Sequence, residues 1–478
     1  MPRLLFTCYY PVVAGIKSTL QLNSNCNMHK IVLKIGGSNL KNAESLSEII
    51  TLAKAYQQPV IIVVSAFYGI TDRLGSLKTE HLEQQLHMLR KVHISALEKY
   101  ISSPETLLKA VRSIEKQLSS LEELVTGHKA PEVIRHNKIL SYGEKMSARV
   151  IQAILNENGF PCRLAYPEDI GLLSNRRFLQ GSILLKKSSS NLKKHLDEKI
   201  SYIIPGFYAQ SEQNETVLLG RGGSDYSAAC IAHCVEAEYL DVWKDVKGYM
   251  SADPKVISKV KKIAKLNYLE AAELSYFGAK ILHPRTIQPL VTKGIKVRLF
   301  NPANHKMPKH EATRIDALSL VSEEVIKSIT YDQNISLLKL KGSGVGIKKG
   351  ILAEVTTAFD RAKINIRSVV TSQTAIHFIL SRQDLAQAEQ IVLEVNKTKD
   401  FEIEIKDDIA WIAAIGQGII QKEGLAARIL YSLSKAKINV RQIVLGASEV
   451  AIYIVIQRNM AKKAIHFIHQ EIFNQFNN

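Results

Sequence analysis

The sequence predicts an α/β protein with a mainly parallel sheet, followed by two small βαββαβ modules. Three observations carry this. Short apolar runs without polar alternation, such as Ile31-Val32-Leu33 and Val60-Ile61-Ile62-Val63-Val64, read as strands buried on both faces. They lead through glycine or serine turns into helical spacing, the βα order of a parallel sheet. The C-terminal part repeats itself. Gly350-Ile351-Leu352-Ala353 matches Gly424-Leu425-Ala426-Ala427, and Ala362-Lys363-Ile364-Asn365-Ile366-Arg367 matches Ala436-Lys437-Ile438-Asn439-Val440-Arg441, at one 74-residue offset (436 − 362).

The 478 residues allow two to four domains. No apolar run approaches the ~18 residues of a membrane span, so no membrane partner is expected. The net charge of +18 raises nucleic acid as a partner, but the basic residues are scattered, with no aromatic-interleaved stripe. A lysine-rich surface and anionic substrates account for it better. The five cysteines form no CxxC pair and have no histidines at zinc spacing, so buried thiols in a reducing cytoplasm are expected, and no metal site. Residues 1–27 lack Asp and Glu and carry Arg3 and Lys17; they read as an extension of uncertain status or a misplaced start, with a short transit peptide as the alternative.

The first strand carries Lys34 among apolar neighbours and runs into Gly36-Gly37-Ser38. A buried ammonium needs an anion, and the paired glycines make phosphate the natural one. The second strand ends at Ser65, followed by Gly69-Ile70-Thr71; ligands of open α/β sheets bind at such carboxyl ends. Residues 78–126 read as helices. Ser141-Tyr142-Gly143-Glu144 reads as a helix start, where the dipole would favour the Glu144 carboxylate.

The stretch after Val217-Leu218-Leu219 organises the rest. Gly220-Arg221-Gly222-Gly223-Ser224-Asp225 opens into an Ala-rich helix, so backbone N–H groups at the turn face an anion. Arg221 has the fork for a carboxylate, and Asp225 would orient a cation. Tyr239–Trp243 reads as a further strand, with Lys244-Asp245 through Met250 to Asp253-Pro254-Lys255 as its loop. Lys280 and His283-Pro284 follow a glycine break; the histidine reads as holding a turn. Ile295–Asn301 reads as the closing strand, and Asn301–His310 as a linker.

The string Gly220–Ala228 resembles the G-R-G-G-S-D-Y-S-A pattern of the aspartate kinases, members of the amino-acid kinase family. The segments around Lys34, Glu144 and Trp243-Lys244-Asp245-Val246 resemble further stretches of that pattern, and the repeats resemble ACT domains. Departures are Ile35, Asn39, Lys244 where Thr is common, and Met250 where Tyr is common. The resemblance covers residues 30–478 and is nearest to the kinase part of bifunctional aspartate kinase–homoserine dehydrogenases and to plant-like monofunctional enzymes. The chain stops after the second repeat, so no dehydrogenase domain is expected to follow.

The resemblance implies a three-layer αβα kinase domain over 28–306, a linker over 307–325, and ACT domains over 326–400 and 401–478. The second would alternatively be inserted within the first and complete it with a C-terminal strand. It implies phosphorylation of the L-aspartate side chain by ATP, with Mg²⁺ entering on the nucleotide. Lys34 and Asp225 would be catalytic. Lys34, Gly36, Gly37, Ser38, Lys244, Asp245, Met250, Lys255 and Lys280 would bind ATP. Ser65, Thr71, Glu144, Arg221, Gly222, Gly223 and Ser224 would hold aspartate, with Glu144 on its ammonium and Arg221 on a carboxylate. An amino-acid effector, lysine or threonine, and a homo-oligomer built through the ACT domains are also implied. Glutamate kinase and a non-catalytic amino-acid sensor are the competing readings.

Overall fold

The computed structural model describes residues 30–41, 45–127, 130–277, 281–301, 312–318, 325–397 and 401–473. The extension 1–27 and Lys280 lie outside the described residues, as does most of the expected linker. Its N-terminal part is built on an eight-stranded sheet. The strands are β1 (Ile31–Ile35), β2 (Ile61–Val64), β3 (Cys162–Leu164), β4 (Ser201–Pro205), β7 (Tyr239–Trp243), β8 (Lys265–Asn267), β9 (Lys296–Phe300) and β10 (Thr313–Asp316). A separate hairpin is formed by β5 (Tyr208–Gln210) and β6 (Thr216–Leu218). The order across the sheet is β3-β4-β2-β1-β7-β9-β10-β8, parallel except between β9 and β10.

Alternation along β1 feeds two cores. Val32 enters one, while Ile31, Leu33 and Ile35 enter the other. Lys34 therefore shares the face of Val32, which the helix Gly223–Cys234 covers. That helix lies close because its buried residues are small: Ala228, Ala229, Cys230 and Ala232 are inaccessible. The long helices Leu82–Tyr100, Pro104–Thr126 and Glu132–Glu157 build the opposite layer. Cys162, Cys230 and Cys234 are buried free thiols.

The sheet does not close at β9. Thr313 brings β10 against β9, its buried hydroxyl donating to the Ile263 carbonyl and accepting from the Tyr249 N–H. The sheet thus continues past 306 into the stretch expected to be linker.

The repeats form two four-stranded sheets. The first copy is an unbroken βαββαβ unit: β12 (Ile335–Lys341), helix Ile351–Arg361, β13 (Ile366–Ser372), β14 (Ala375–Ser381), helix Leu385–Asn396 and β15 (Glu402–Lys406), in the order β13-β14-β12-β15. The second comprises β16 (Ile409–Ile415), helix Leu425–Lys435, β17 (Val440–Val444), β18 (Ala451–Gln457) and helix Ala461–Phe473. Its fourth strand is β11 (Ser328–Asp332), which precedes the first copy and pairs with β16. The first copy is therefore inserted within the second. This reverses the nesting expected from sequence and replaces the linear division at 400. The repeat holds down to backbone detail: Gly350 and Gly424 have φ of 95° and 78°, and Lys363 and Lys437 of 59° and 54°. Each copy also carries a register shift after the first residue of its third element, at Ile366/Ser368 and Val440/Gln442.

Candidate active site

The carboxyl ends of β1, β2, β4 and β7 point the same way, and β1 stands between β2 and β7 at the centre of the parallel array. Ligands of such sheets bind where the connections diverge. A cavity of about 560 Å³ lies there, lined by Lys34, Gly37, Ser38, Ser65, Thr71, Glu144, Arg221, Gly222, Gly223, Ser224 and Asp225, together with Phe207 and Leu179. All of these but Phe207 and Leu179 are candidate site residues from sequence; Ala66, Phe67, Tyr68, Gly69, Asp72, Leu140, Leu218 and Gly220 also line it.

Lys34 Nζ lies 2.5 Å from Asp225 Oδ1, and both side chains are almost fully buried. Lys244, the first residue beyond β7, places its Nζ 2.8 Å from Asp225 Oδ2. Burial alone would raise the Asp225 pKa, but Lys34 and Lys244 hold it down to about 2. Burial lowers that of Lys34, with Asp225 pulling it back up. The centre is an ionised carboxylate between two ammoniums, net positive, which suits an incoming polyanion.

 Gly222, the residue before the helix Gly223–Cys234, has φ of 70°, and a Cβ there would stand 2.6 Å from the His283 side chain. No side chain caps this helix, and the N–H of its first residue, Gly223, donates to the Gly220 carbonyl at 2.9 Å, so any anion would meet the next N–H groups of the turn. Phe207 holds a left-handed φ of 72° without being glycine, a costly conformation of the kind that clusters at functional sites. Nothing in its sequence context signals it.

Glu144 is not at a helix start. It lies in the middle of Glu132–Glu157, so the dipole argument fails. Instead it is fixed by the Ala66 N–H, which donates to Oε1 at 3.1 Å, just past the end of β2. Its other oxygen, Oε2, is buried with no hydrogen-bond partner among the described residues. Burial pushes its pKa up to about 8, against the Ala66 hydrogen bond and Lys34. Ser147, one turn on, donates to the Ser65 carbonyl at 2.7 Å and ties this helix to the strand end. Sequence reasoning missed Ser147.

Arg221 is exposed and lines the mouth of the cavity. It also lines a neighbouring cavity of about 880 Å³, shared with Gly222, Asp225, Lys244 and His283 and lined as well by Asn365 and Arg367 of the first repeat. His283 accepts from the Arg285 N–H at the start of the helix Pro284–Val291, the turn-holding role expected of it. Gly36 sits beside the Lys34 ammonium, where a Cβ would approach Nζ to 3.2 Å. Asp245 is exposed near Lys41, Met250 is half-buried with its carbonyl taken by Ser328 Oγ, and Lys255 is exposed. Neither cavity includes these three.

A family model described as "Amino acid kinase family" matches residues 29–301, and one described as "ACT domain" matches residues 412–472. The chain belongs to the amino acid kinase family. Its relatives are aspartokinases. A bifunctional aspartokinase/homoserine dehydrogenase of Haemophilus influenzae is 30% identical over 467 residues, covering 93% of this chain and 56% of that protein. Lysine-sensitive aspartokinase 3 of Escherichia coli is 26% identical, covering 93% and 99%. The chain thus spans little more than half the length of its bifunctional relatives. The solved structure of E. coli aspartokinase III with aspartate and ADP superposes with a TM-score of 0.77 at 24% identity, covering 93% of this chain and 99% of that one. The same enzyme with lysine and aspartate gives 0.75 at 25% identity, with the same coverage. The family assignment and the α/β-plus-ACT architecture expected from sequence therefore hold.

Proposed function

We propose that this chain transfers the γ-phosphoryl group of ATP to the side-chain carboxylate of L-aspartate, giving 4-phospho-L-aspartate and ADP, the first step toward lysine, threonine and methionine. One observation carries the reading: a net-positive Lys34–Asp225–Lys244 cluster and an under-coordinated buried carboxyl, Glu144, border the ends of the same parallel strands. The E. coli enzyme, solved with aspartate and ADP, supports it.

The nucleophile is a carboxylate, ionised at neutral pH, so no general base is required. The protein supplies alignment and charge neutralisation. The aspartate ammonium meets Glu144, and one carboxylate meets Arg221, with Ser65, Thr71, Gly222, Gly223 and Ser224 completing the cradle. Lys34 and the Gly36–Ser38 turn take the transferred phosphate, and Lys280 is proposed to assist. Asp245, Met250 and Lys255 are proposed to lie along the nucleotide. Magnesium arrives with the triphosphate. The carboxylate nearest the phosphate site is occupied by two ammoniums, a donor set that does not fit a divalent cation, so no step is routed through a protein-held metal.

An end-product amino acid, lysine or threonine, is proposed as effector at the repeats; the lysine complex of the E. coli enzyme supports this. A homo-oligomer built through the repeats is also proposed; edge strands such as β13 and β17 could take part in it. A cytoplasmic setting suits the buried free thiols. Among the described residues no helix is long and apolar enough to cross a membrane.

The test is ADP release with L-aspartate, with L-glutamate and without acceptor. Release that depends on aspartate is expected. Release driven by glutamate alone, or none with any acceptor, overturns the reading. Arg221→Ala is expected to raise the aspartate KM about 10- to 100-fold, the cost of one charged hydrogen-bonding partner.

A further inference from the structure

Asp225 stands in the partition between two cavities. Lys34 lines the cavity that contains Glu144, and Lys244 lines the neighbouring one; Asp225 lines both. One carboxylate therefore holds one ammonium on each side. The position of Lys244 is not accidental to a mobile side chain. Its backbone N–H donates to the Phe300 carbonyl at 3.1 Å, and Trp243 before it stacks on Phe300 with ring centroids 5.0 Å apart. Its Nζ donates to Asp225 Oδ2 at 2.8 Å and to the Ile281 carbonyl, and the side chain is 18% exposed.

Consider the same centre without Lys244. Among the described residues, Lys34 and Asp225 would then form a closed, neutral pair. For Lys34 to grip a phosphate it would have to leave Asp225, and a buried carboxylate stripped of its partner is strongly destabilising. With Lys244 in place, Asp225 keeps a cation whichever way Lys34 turns.

We propose that Lys244 is a positioning residue for phosphoryl transfer: it anchors Asp225 from the side of the neighbouring cavity and so releases Lys34 to follow the transferred phosphate. This rests on the kinase reading above and deepens it. Lys244 acts through Asp225 and adds a fixed positive charge to the centre. The electrostatics agree in direction, since Lys244 lowers the pKa of both Lys34 and Asp225.

The experiment compares the full chain with Lys244→Met, Lys244→Thr and Lys244→Arg by steady-state ADP release, with ADP binding by titration calorimetry and a melting curve for each. Met and Thr are expected to lower kcat about 10- to 100-fold while the aspartate KM moves by less than about threefold, and Arg is expected to recover most of the loss. A Met variant that folds and keeps kcat within about twofold of wild type overturns the proposal, as does an Arg variant no better than Met. If Met fails to fold, the Thr and Arg variants make the same comparison. If the wild type releases no ADP with aspartate, the kinase reading itself fails. The Lys244 assignment is then judged on ADP affinity: weakening in Met and recovery in Arg keep the charge role, and equal affinities remove it.

Discussion

Two walls of the cavity carry the same kind of group in opposite states. On one wall Asp225 is an anion held at about 2 by two ammoniums. On the other, Glu144 receives one backbone N–H, keeps one oxygen unpartnered among the described residues, and is pushed up to about 8. Both are buried, so burial does not separate them; their partners do. The Asp225 wall is complete and carries surplus positive charge. The Glu144 wall lacks a cation. A zwitterion bringing an ammonium to Glu144 and a phosphate approaching Lys34 would satisfy both.

Lys34→Ala breaks this comparison hardest. It removes the ammonium proposed to face the phosphate and leaves Asp225 its second partner, Lys244, so the fold is expected to survive. The kcat of ADP release should fall on the order of 10²–10³, the loss of a transition-state charge contact. A rate within about threefold of wild type would show that the cation-rich wall is not where phosphate is held.

Glu144→Gln tests the other wall with almost no change in shape. The aspartate KM should rise about 10- to 100-fold, with a smaller effect on kcat, because an ion-assisted hydrogen bond to the ammonium becomes a neutral one. An equal fall in kcat and kcat/KM, with KM unchanged, would contradict a ground-state role for Glu144.

The pH dependence sharpens the contrast. The Glu144 carboxyl is at about 8 in the folded protein against an ordinary 4.5. Between these values the native state holds a proton that the unfolded chain has released. Its contribution therefore lowers stability as pH rises from 4.5 toward 8, then levels off. On the proposed reading aspartate supplies the missing cation, so its binding near pH 7 should expel a proton. Calorimetry in buffers of different ionisation enthalpy measures that release, and Glu144→Gln should abolish it. Asp225, already ionised, adds nothing in this window. Binding heats independent of buffer in the wild type would refute the raised Glu144.

Much of this site was legible in the chain. A lysine inside an apolar strand announces a buried partner, and Gly220–Asp225 announces an anion-facing helix start. What misled was Gly143. Beside Glu144 it looks like a helix boundary, yet it is interior: a Cβ there would meet the Ala66 Cβ at 2.9 Å and Leu74 at 3.2 Å. The glycine is a packing requirement where the helix crosses the end of β2. The nesting of the repeats was hidden for another reason. β11 and β12 are adjacent in sequence and both apolar, and only long-range pairing sends one to β16 and the other to β14. The Lys244–Asp225 contact was equally nonlocal, although a lysine where threonine is common was its visible trace.

The smallest effect expected is that of Ser147→Ala. Its hydroxyl donates to the Ser65 carbonyl at 2.7 Å, one turn beyond Glu144 on the same helix. It touches neither the proposed phosphate nor the ammonium; it sets the distance between the strand end that carries Ser65 and Ala66 and the helix that carries Glu144. Removing one such hydrogen bond costs about 1 kcal/mol. The aspartate KM should therefore rise about three- to tenfold, with kcat close to wild type, since the Lys34 wall is untouched. A fall in kcat with KM unchanged would mean that the two walls are mechanically coupled through β2 and do not act as separate sites for the two charges.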